Sequence, residues 1–353
     1  MKPKKEDPIT PDIRALIQKL SQNCVDPALF EEILTTLFLM ADEHKDRGDY
    51  KLINKVLKEL RESFQLFKPY REIRKVALFG SARVIESDPN YELAQSLAKG
   101  LVENGFQVIT GGGGGIMEAA NRGADAGGRG SDASRGSGAS TSFGLNIKLP
   151  HEQMANPFIR DSANLMEFKY FFTRKLVFIK ESHATVLLPG GFGTLDEGFE
   201  NITLFQTGKC MPRPIVLLDH EEDDYWDRWL VLLDSLLIEK GFASTDDRLL
   251  IKRARSAQEA LDHIKLFYRV FHSMRYVRGK TVLRLNTVLS AKLLEKLNDE
   301  FQDILVKGKI EPTEPLKDEL KNQEFPHLPR IFLHFDKKSF GRLNQLITRI
   351  NQS

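Results

Sequence analysis

The residues with the most chemical content lie in Ala184–Phe199, ATVLLPGGFGTLDEGF. Ala184–Leu188 is a short apolar run rich in β-formers and reads as a buried strand. Pro189-Gly190-Gly191 ends it, and Phe192-Gly193 leads to Thr194, a good N-cap, where a helix is expected to start. A strand, a glycine loop and a helix N-terminus in that order bind phosphate. Glycine lets the backbone approach the anion, and the free N–H groups and the helix dipole favour negative charge. The same residues also allow a purely structural turn, with Thr194 and Glu197 as a capping box. A second glycine run, Gly111–Gly115, favours the phosphate reading, because it too follows an apolar run (Phe106–Thr110) and precedes a helical pattern.

Glu197 is the other reactive candidate. Placed in the first turn of a helix, it is expected to be ionised, since the dipole favours the carboxylate. A carboxylate beside a phosphate cradle makes sense if a cation forms between them, and a ribosyl oxocarbenium ion, formed as an N-glycosidic bond breaks, is such a species. Arg174 and Lys175 are the remaining charged candidates, on a helix expected over Phe168–Ser182.

These groups need a scaffold. Lys75–Gly80 reads as the first strand, Tyr91–Asn104 as a helix, Phe106–Thr110 as the second strand and Ile116–Ala126 as the next helix. Phe143–Ile147 and Pro214–Leu218 follow as strands, and Tyr225–Gly241 and Ala257–Phe267 as helices. Such alternation predicts a doubly wound parallel α/β sheet. Before it, three helical patterns run from Pro11 to Phe67. After it, strands at Lys280–Leu285 and Arg330–Phe335 and helices at Ser290–Ile304 and Ser339–Ile350 predict a small α/β unit, of ferredoxin-like type. The expected division is a helical region 1–70, a nucleotide-binding domain 71–270 and a C-terminal domain 271–353. Arg129–Ser142, rich in Gly and Ser, reads as a flexible loop, either an inert insertion or a lid.

Other sites are missing. The first strand is followed by Gly80-Ser81-Ala82-Arg83, not by G-x-G-x-x-G, and the second runs into glycines where a ribose-binding acid would stand. NAD is therefore not expected, and a mononucleotide fits better. Gly279-Lys280-Thr281 lacks the earlier glycine of a Walker loop. The eight histidines and two cysteines show no metal-ligand spacing, so neither metal nor cofactor is expected. Arg275, Arg278, Lys280 and Arg284 form a local basic cluster, either a solvated strand face or an anionic effector or partner site. The net charge of +2 gives no reason to expect nucleic-acid or membrane binding, and with no secretory h-region the reading is cytoplasmic.

The motifs carry a resemblance. Pro189–Glu197 matches the P-G-G-x-G-T-x-x-E signature of the Lonely Guy family, nucleoside 5′-monophosphate phosphoribohydrolases often labelled lysine decarboxylases. Arg174-Lys175, shortly after Met166, is similar to that family's second motif, and Gly111–Met117 resembles its G-G-G-x-x-x-M turn. The resemblance spans about Arg74 to Phe267. It implies a Rossmann-like hydrolase in which Glu197 and Arg174 are catalytic. Ser81, Gly112, Gly113, Gly114, Glu152, Lys175, Gly190, Gly191, Gly193, Thr194 and Thr203 would contact a purine or pyrimidine monophosphate. It also implies a homo-oligomer. Tyr170-Phe171-Phe172 adds to that expectation, since a helix cannot bury three consecutive aromatics on one face. A sensor or carrier of the same fold without turnover is the alternative.

Overall fold

The computed structural model describes residues 11–21, 24–43, 46–130, 141–149, 154–321 and 325–353. The chain divides into two units, Met1–Arg61 and Glu62–Ser353. The first contains α1 (Pro11–Ser21), α2 (Pro27–Glu43) and most of α3 (Arg47–Phe67). Asp26 starts α2, its carboxylate accepting the Leu29 N–H at 3.1 Å, with Pro27 in the first turn, where no amide is needed.

The second unit is built on seven short strands. These are β1 (Lys75–Phe79), β2 (Gln107–Thr110), β3 (Ser142–Ile147), β4 (Leu165–Phe168), β5 (Ala184–Leu187), β6 (Ile215–Leu218) and β7 (Ile251–Ala254). Every pairing is parallel, in the order β4-β3-β2-β1-β5-β6-β7. Helices α4 (Pro89–Glu103), α5 (Ile116–Gly130), α6 (Phe171–Glu181), α7 (Phe192–Gln206), α8 (Tyr225–Leu233) and α9 (Ala257–Phe267) connect them. The central strands β1, β5 and β6 are buried along their whole length, which is why they read as continuous apolar runs. Val76, Leu78, Val108, Val186 and Val216 meet Ala94, Leu97 and Leu101 of α4 and Ile264 of α9 in one core. The doubly wound Rossmann-like sheet is thus present. From β1 the chain winds outward through β2 to β4, then returns to β5 on the other side. The strand ends at β1 and β5 therefore form a switch point, where such sheets open a ligand crevice.

Some expectations change. The helix expected over Phe168–Ser182 starts only at Phe171, because Leu165–Phe168 pairs with β3 as an edge strand. β7 was not apparent from sequence: Ile251–Ala254 holds two basic residues and only partly buries its face. Residues 131–140 of the Gly/Ser loop lie outside the described residues.

The C-terminal elements form an antiparallel four-stranded sheet in the order β10-β11-β9-β8. Its strands are β8 (Phe271–Val277), β9 (Lys280–Leu285), β10 (Leu305–Pro312) and β11 (Arg330–Phe335), with α10 (Ala291–Glu300), α11 (Lys317–Lys321) and α12 (Phe340–Asn351). It opens with a hairpin rather than with β-α-β, so the ferredoxin-like expectation does not hold. The basic cluster on that hairpin is dispersed. Arg278 pairs with Asp318, Lys280 lies over the Phe332 ring, and Arg284 is buried against Glu319, which Arg330 also contacts at 3.0 Å. Asn351 accepts the Val270 and Phe271 amides at 2.8 and 2.9 Å and so anchors α12 to the α9–β8 connection.

Candidate active site

Three chain segments meet at the switch point. The main chain of Ser81, just past β1, ties both glycine runs together: its N–H donates to the Pro189 carbonyl at 3.1 Å, and its own carbonyl accepts the Ile116 N–H at 3.1 Å. Gly115 lies against this carbonyl with φ +63°, a conformation that side chains resist, and a Cβ there would collide with Ser81 and Ala82. Ser81 Oγ accepts the Arg83 N–H at 3.1 Å and shapes the turn.

The first glycine run is held from below. Thr110, Asn121 and Asn156 are all buried. Asn121 Oδ1 accepts from Thr110 Oγ1 at 2.8 Å and from Asn156 Nδ2 at 2.9 Å. Thr110 Oγ1 accepts the Gly112 N–H at 3.0 Å, and Asn156 donates to the Gly112 and Gly113 carbonyls at 2.8 and 2.9 Å. Gly114 follows beside the Ala82 carbonyl.

The second run enters α7 earlier than the sequence suggested. Gly191 is the N-cap, and its carbonyl accepts the Thr194 and Leu195 amides at 3.0 and 3.1 Å. Thr194 is therefore inside the helix, and no side-chain cap forms. Phe192 and Gly193 supply first-turn amides, which an α-helix leaves without internal partners. A Cβ on Gly191 or Gly193 would meet open space, whereas one on Gly190 would strike the Thr194 side chain. Tyr225 of α8 holds the loop from behind, its hydroxyl donating to the Gly190 carbonyl at 2.6 Å.

Beside the second run is a cavity of about 700 Å³, lined by Ser81, Arg83, Met117, Arg174, Gly191, Gly193, Thr194 and Glu197 among others; Gly112, Gly113 and Gly114 lie outside that lining. Arg174, on α6, donates from Nε to the Leu145 carbonyl at 2.7 Å and lies over the Phe178 ring. A Cβ on Gly111 would come within 2.5 Å of its Nη2, so that glycine makes room for the guanidinium. Burial lowers the Arg174 pKa, with Glu197 opposing the shift. A guanidinium nevertheless stays charged.

Glu197 is only 4% exposed, and its Oε2 has no hydrogen-bond partner. It sits in the second turn of α7, where the dipole is weaker, and burial pushes its pKa up to about 7 although Lys175 and Arg174 pull it down. The expectation of a fully ionised carboxylate is thus corrected: desolvation outweighs the helix end. Lys175 joins three carboxylates, at 2.9 Å from Asp196, 2.8 Å from Glu200 and 3.9 Å from Glu197. Burial disfavours its charge, but the hydrogen bonds to Glu200 and Asp196 prevail and its pKa is raised.

The structure therefore gathers Ser81, Arg174, Gly191, Gly193, Thr194 and Glu197 around one cavity, with Lys175 and Gly190 directly behind it. Thr203 is placed elsewhere, on an exposed face of α7 beyond the cavity lining. Glu152 lies outside the described residues. Sequence reasoning did not single out Arg83, which lines the cavity, or Asn121, Asn156 and Tyr225, whose partners are distant in the chain and leave no local motif.

Comparisons with known proteins cover the same region. A family described as possible lysine decarboxylase matches residues 117–264, and the SLOG cluster4 family matches residues 73–131. A probable cytokinin riboside 5′-monophosphate phosphoribohydrolase of Oryza sativa subsp. japonica is 31% identical over 176 residues, covering 49% of this chain and 75% of that protein. A second such rice protein is 29% identical over 191 residues, covering 53% and 70%. Among solved structures, the molybdenum cofactor binding protein of Rippkaea orientalis is 18% identical with a TM-score of 0.38, covering 55% of this chain and 94% of that one.

Proposed function

The chain belongs to the Lonely Guy family of phosphoribohydrolases, and from that membership and the cavity we propose that it hydrolyses nucleoside 5′-monophosphates to free base and ribose 5-phosphate. The observation that carries this reading is Glu197: a buried carboxylate with one oxygen unpartnered among the described residues, in the lining of the cavity beside Gly191 and Gly193. The first-turn amides of α7 suit the 5′-phosphate, and Arg174 supplies fixed positive charge. As the C1′–N bond breaks, its electron pair leaves with the base and positive charge grows on the ribose. Glu197 in its ionised form stabilises that charge and orients water. The hydroxyl of water ends on C1′ and its proton on the base.

The geometry disfavours a decarboxylase. A Schiff-base lysine needs a free, neutral amine. Lys175, beside the cavity, is held as a cation by Asp196 and Glu200.

Homo-oligomerisation belongs to the same reading. Phe171, Phe172 and Leu176 are each 52% exposed, and Phe192 at the cavity mouth is 93% exposed. Apolar surface of this kind next to a site suits cover by a second chain.

The test is incubation with AMP, CMP, GMP and UMP followed by chromatography for free base, with adenosine in parallel. The expected outcome is base release from monophosphates and a much lower kcat/KM for adenosine, because phosphate binding energy supports the reacting centre. Nucleotides bound but recovered intact would instead indicate a carrier, and equal kcat/KM for AMP and adenosine would refute the phosphate cradle.

A further inference from the structure

The opposite, N-terminal end of the parallel strands holds a second cavity of about 480 Å³. It opens where β5 and β6 begin, around His183 and Arg213, whereas the nucleotide cavity lies past the end of β5. From His183 to Pro189 the chain rises about 20 Å at strand geometry, so the two cavities are separate. Edge strand β8 forms the far wall with Phe271, Met274 and Tyr276.

Its charge is one-sided. Lys180, Lys209, Arg213, His183 and His272 line it, and among the described residues no Asp or Glu does; Lys180 is paired with Glu181 next to the lining, which leaves Lys209 and Arg213 as its cations. Arg213 is the central feature, at 5% exposure. Its Nη1 donates to Ser182 Oγ at 2.9 Å and its Nη2 to the Ile179 carbonyl at 2.7 Å. Both acceptors are uncharged. The second belongs to the last turn of α6, where the helix dipole gives a cation some support. That capping role uses the two terminal nitrogens, the neutral Cys210 thiol lies against the same guanidinium, and among the described residues the buried Nε is without a hydrogen-bond partner. A buried guanidinium facing neutral groups lacks a counter-charge.

The neighbours reinforce this. Lys75 and Arg74 stand behind the cavity, Arg74 lying 4.2 Å over the Tyr268 ring. His183 accepts the Lys75 N–H on Nδ1 at 3.1 Å, so its proton resides on Nε2 as a donor. Burial first, then Lys75, Arg74, Arg213 and His272, depress its pKa to about 3. His272 falls to about 4 for the same reasons, burial first and then Arg74. Both rings stay neutral, burial being the larger cause and the nearby cations the smaller. The rest of the wall is apolar and aromatic, which suits the body of a ligand rather than a bare ion.

We propose that this cavity is a second ligand site for a small organic anion, its negative head meeting Lys209 and the Arg213 guanidinium and its apolar body packing on Met211 and Tyr276. The site is independent of turnover at Glu197 and is tested by binding alone. Isothermal titration of the full chain at neutral pH with naphthalene-1-sulfonate is expected to give one saturable site, with naphthalene-1-methanol at least about tenfold weaker, the scale of one lost charge contact. Lys209→Glu and Arg213→Gln are each expected to weaken the sulfonate about tenfold or more, and Ser273→Trp to fill the cavity and abolish binding. Arg83→Glu, at the nucleotide cavity, should leave it unchanged. Should Arg213→Gln fail to fold, Lys209→Glu and Ser273→Trp carry the test. No saturable binding, equal binding of the neutral analogue, insensitivity to Lys209→Glu or Ser273→Trp, or loss in Arg83→Glu would each overturn the proposal.

Discussion

At the scale of single residues, the proposed reaction rests on Glu197. Its charge acts on a cation absent from the ground state, so Glu197→Gln should lower kcat by about 10²–10³, the effect of one preorganised electrostatic group, with nucleotide affinity little changed. Single-turnover and equilibrium binding measurements separate the two; a variant with wild-type kcat would reduce Glu197 to a helix residue. The pH dependence has a definite sign. Burial raises the Glu197 pKa to about 7, and the reaction uses the carboxylate, so kcat/KM should fall as pH drops below about 7 and level off above it. Lys175 holds that pKa down. In Lys175→Met the rising limb should therefore move to higher pH, and a limb that moves the other way would mean that the protonated acid is the active form.

At the scale of elements, the site depends on loops pinned from outside. The Gly190–Gly193 turn is anchored to β1 through Pro189 and Ser81, and to α8 through Tyr225. Tyr225→Phe removes a hydrogen bond contributing about 0.5–1.5 kcal/mol. The expected result is nucleotide binding weaker by roughly 2- to 13-fold, measured by titration, with the fold intact by circular dichroism. Unchanged affinity would show that the glycine loop keeps its shape without α8. The first run has an analogous support in Thr110, Asn121 and Asn156, which are buried and bonded to one another.

At the scale of the whole molecule, the exposed Phe171, Phe172, Leu176 and Phe192 motivate the proposed assembly. Light scattering across a dilution series should give a homodimer or larger species, with Phe172→Glu shifting it toward monomer and lowering activity together. A fully active monomer at micromolar concentration would refute a shared site. Among the described residues no helix is long and apolar enough to cross a membrane.

Much of this was legible in the amino-acid sequence. Lys75–Phe79, Ala184–Leu187 and Ile215–Leu218 are strands buried on both faces, and their composition is dictated by that burial alone. The glycine runs could be read because backbone approach and positive φ, as at Gly112 and Gly115, are demands that a residue type answers locally. Leu165–Phe168 and Ile251–Ala254 could not, since edge strands gain their identity from a neighbour's hydrogen bonds rather than from their own pattern. The same limit applied to Glu197, whose type and motif were visible. Its protonation depends on how far α6 and α7 remove it from water and how closely Lys175 and Arg174 approach, and only the tertiary structure sets those distances.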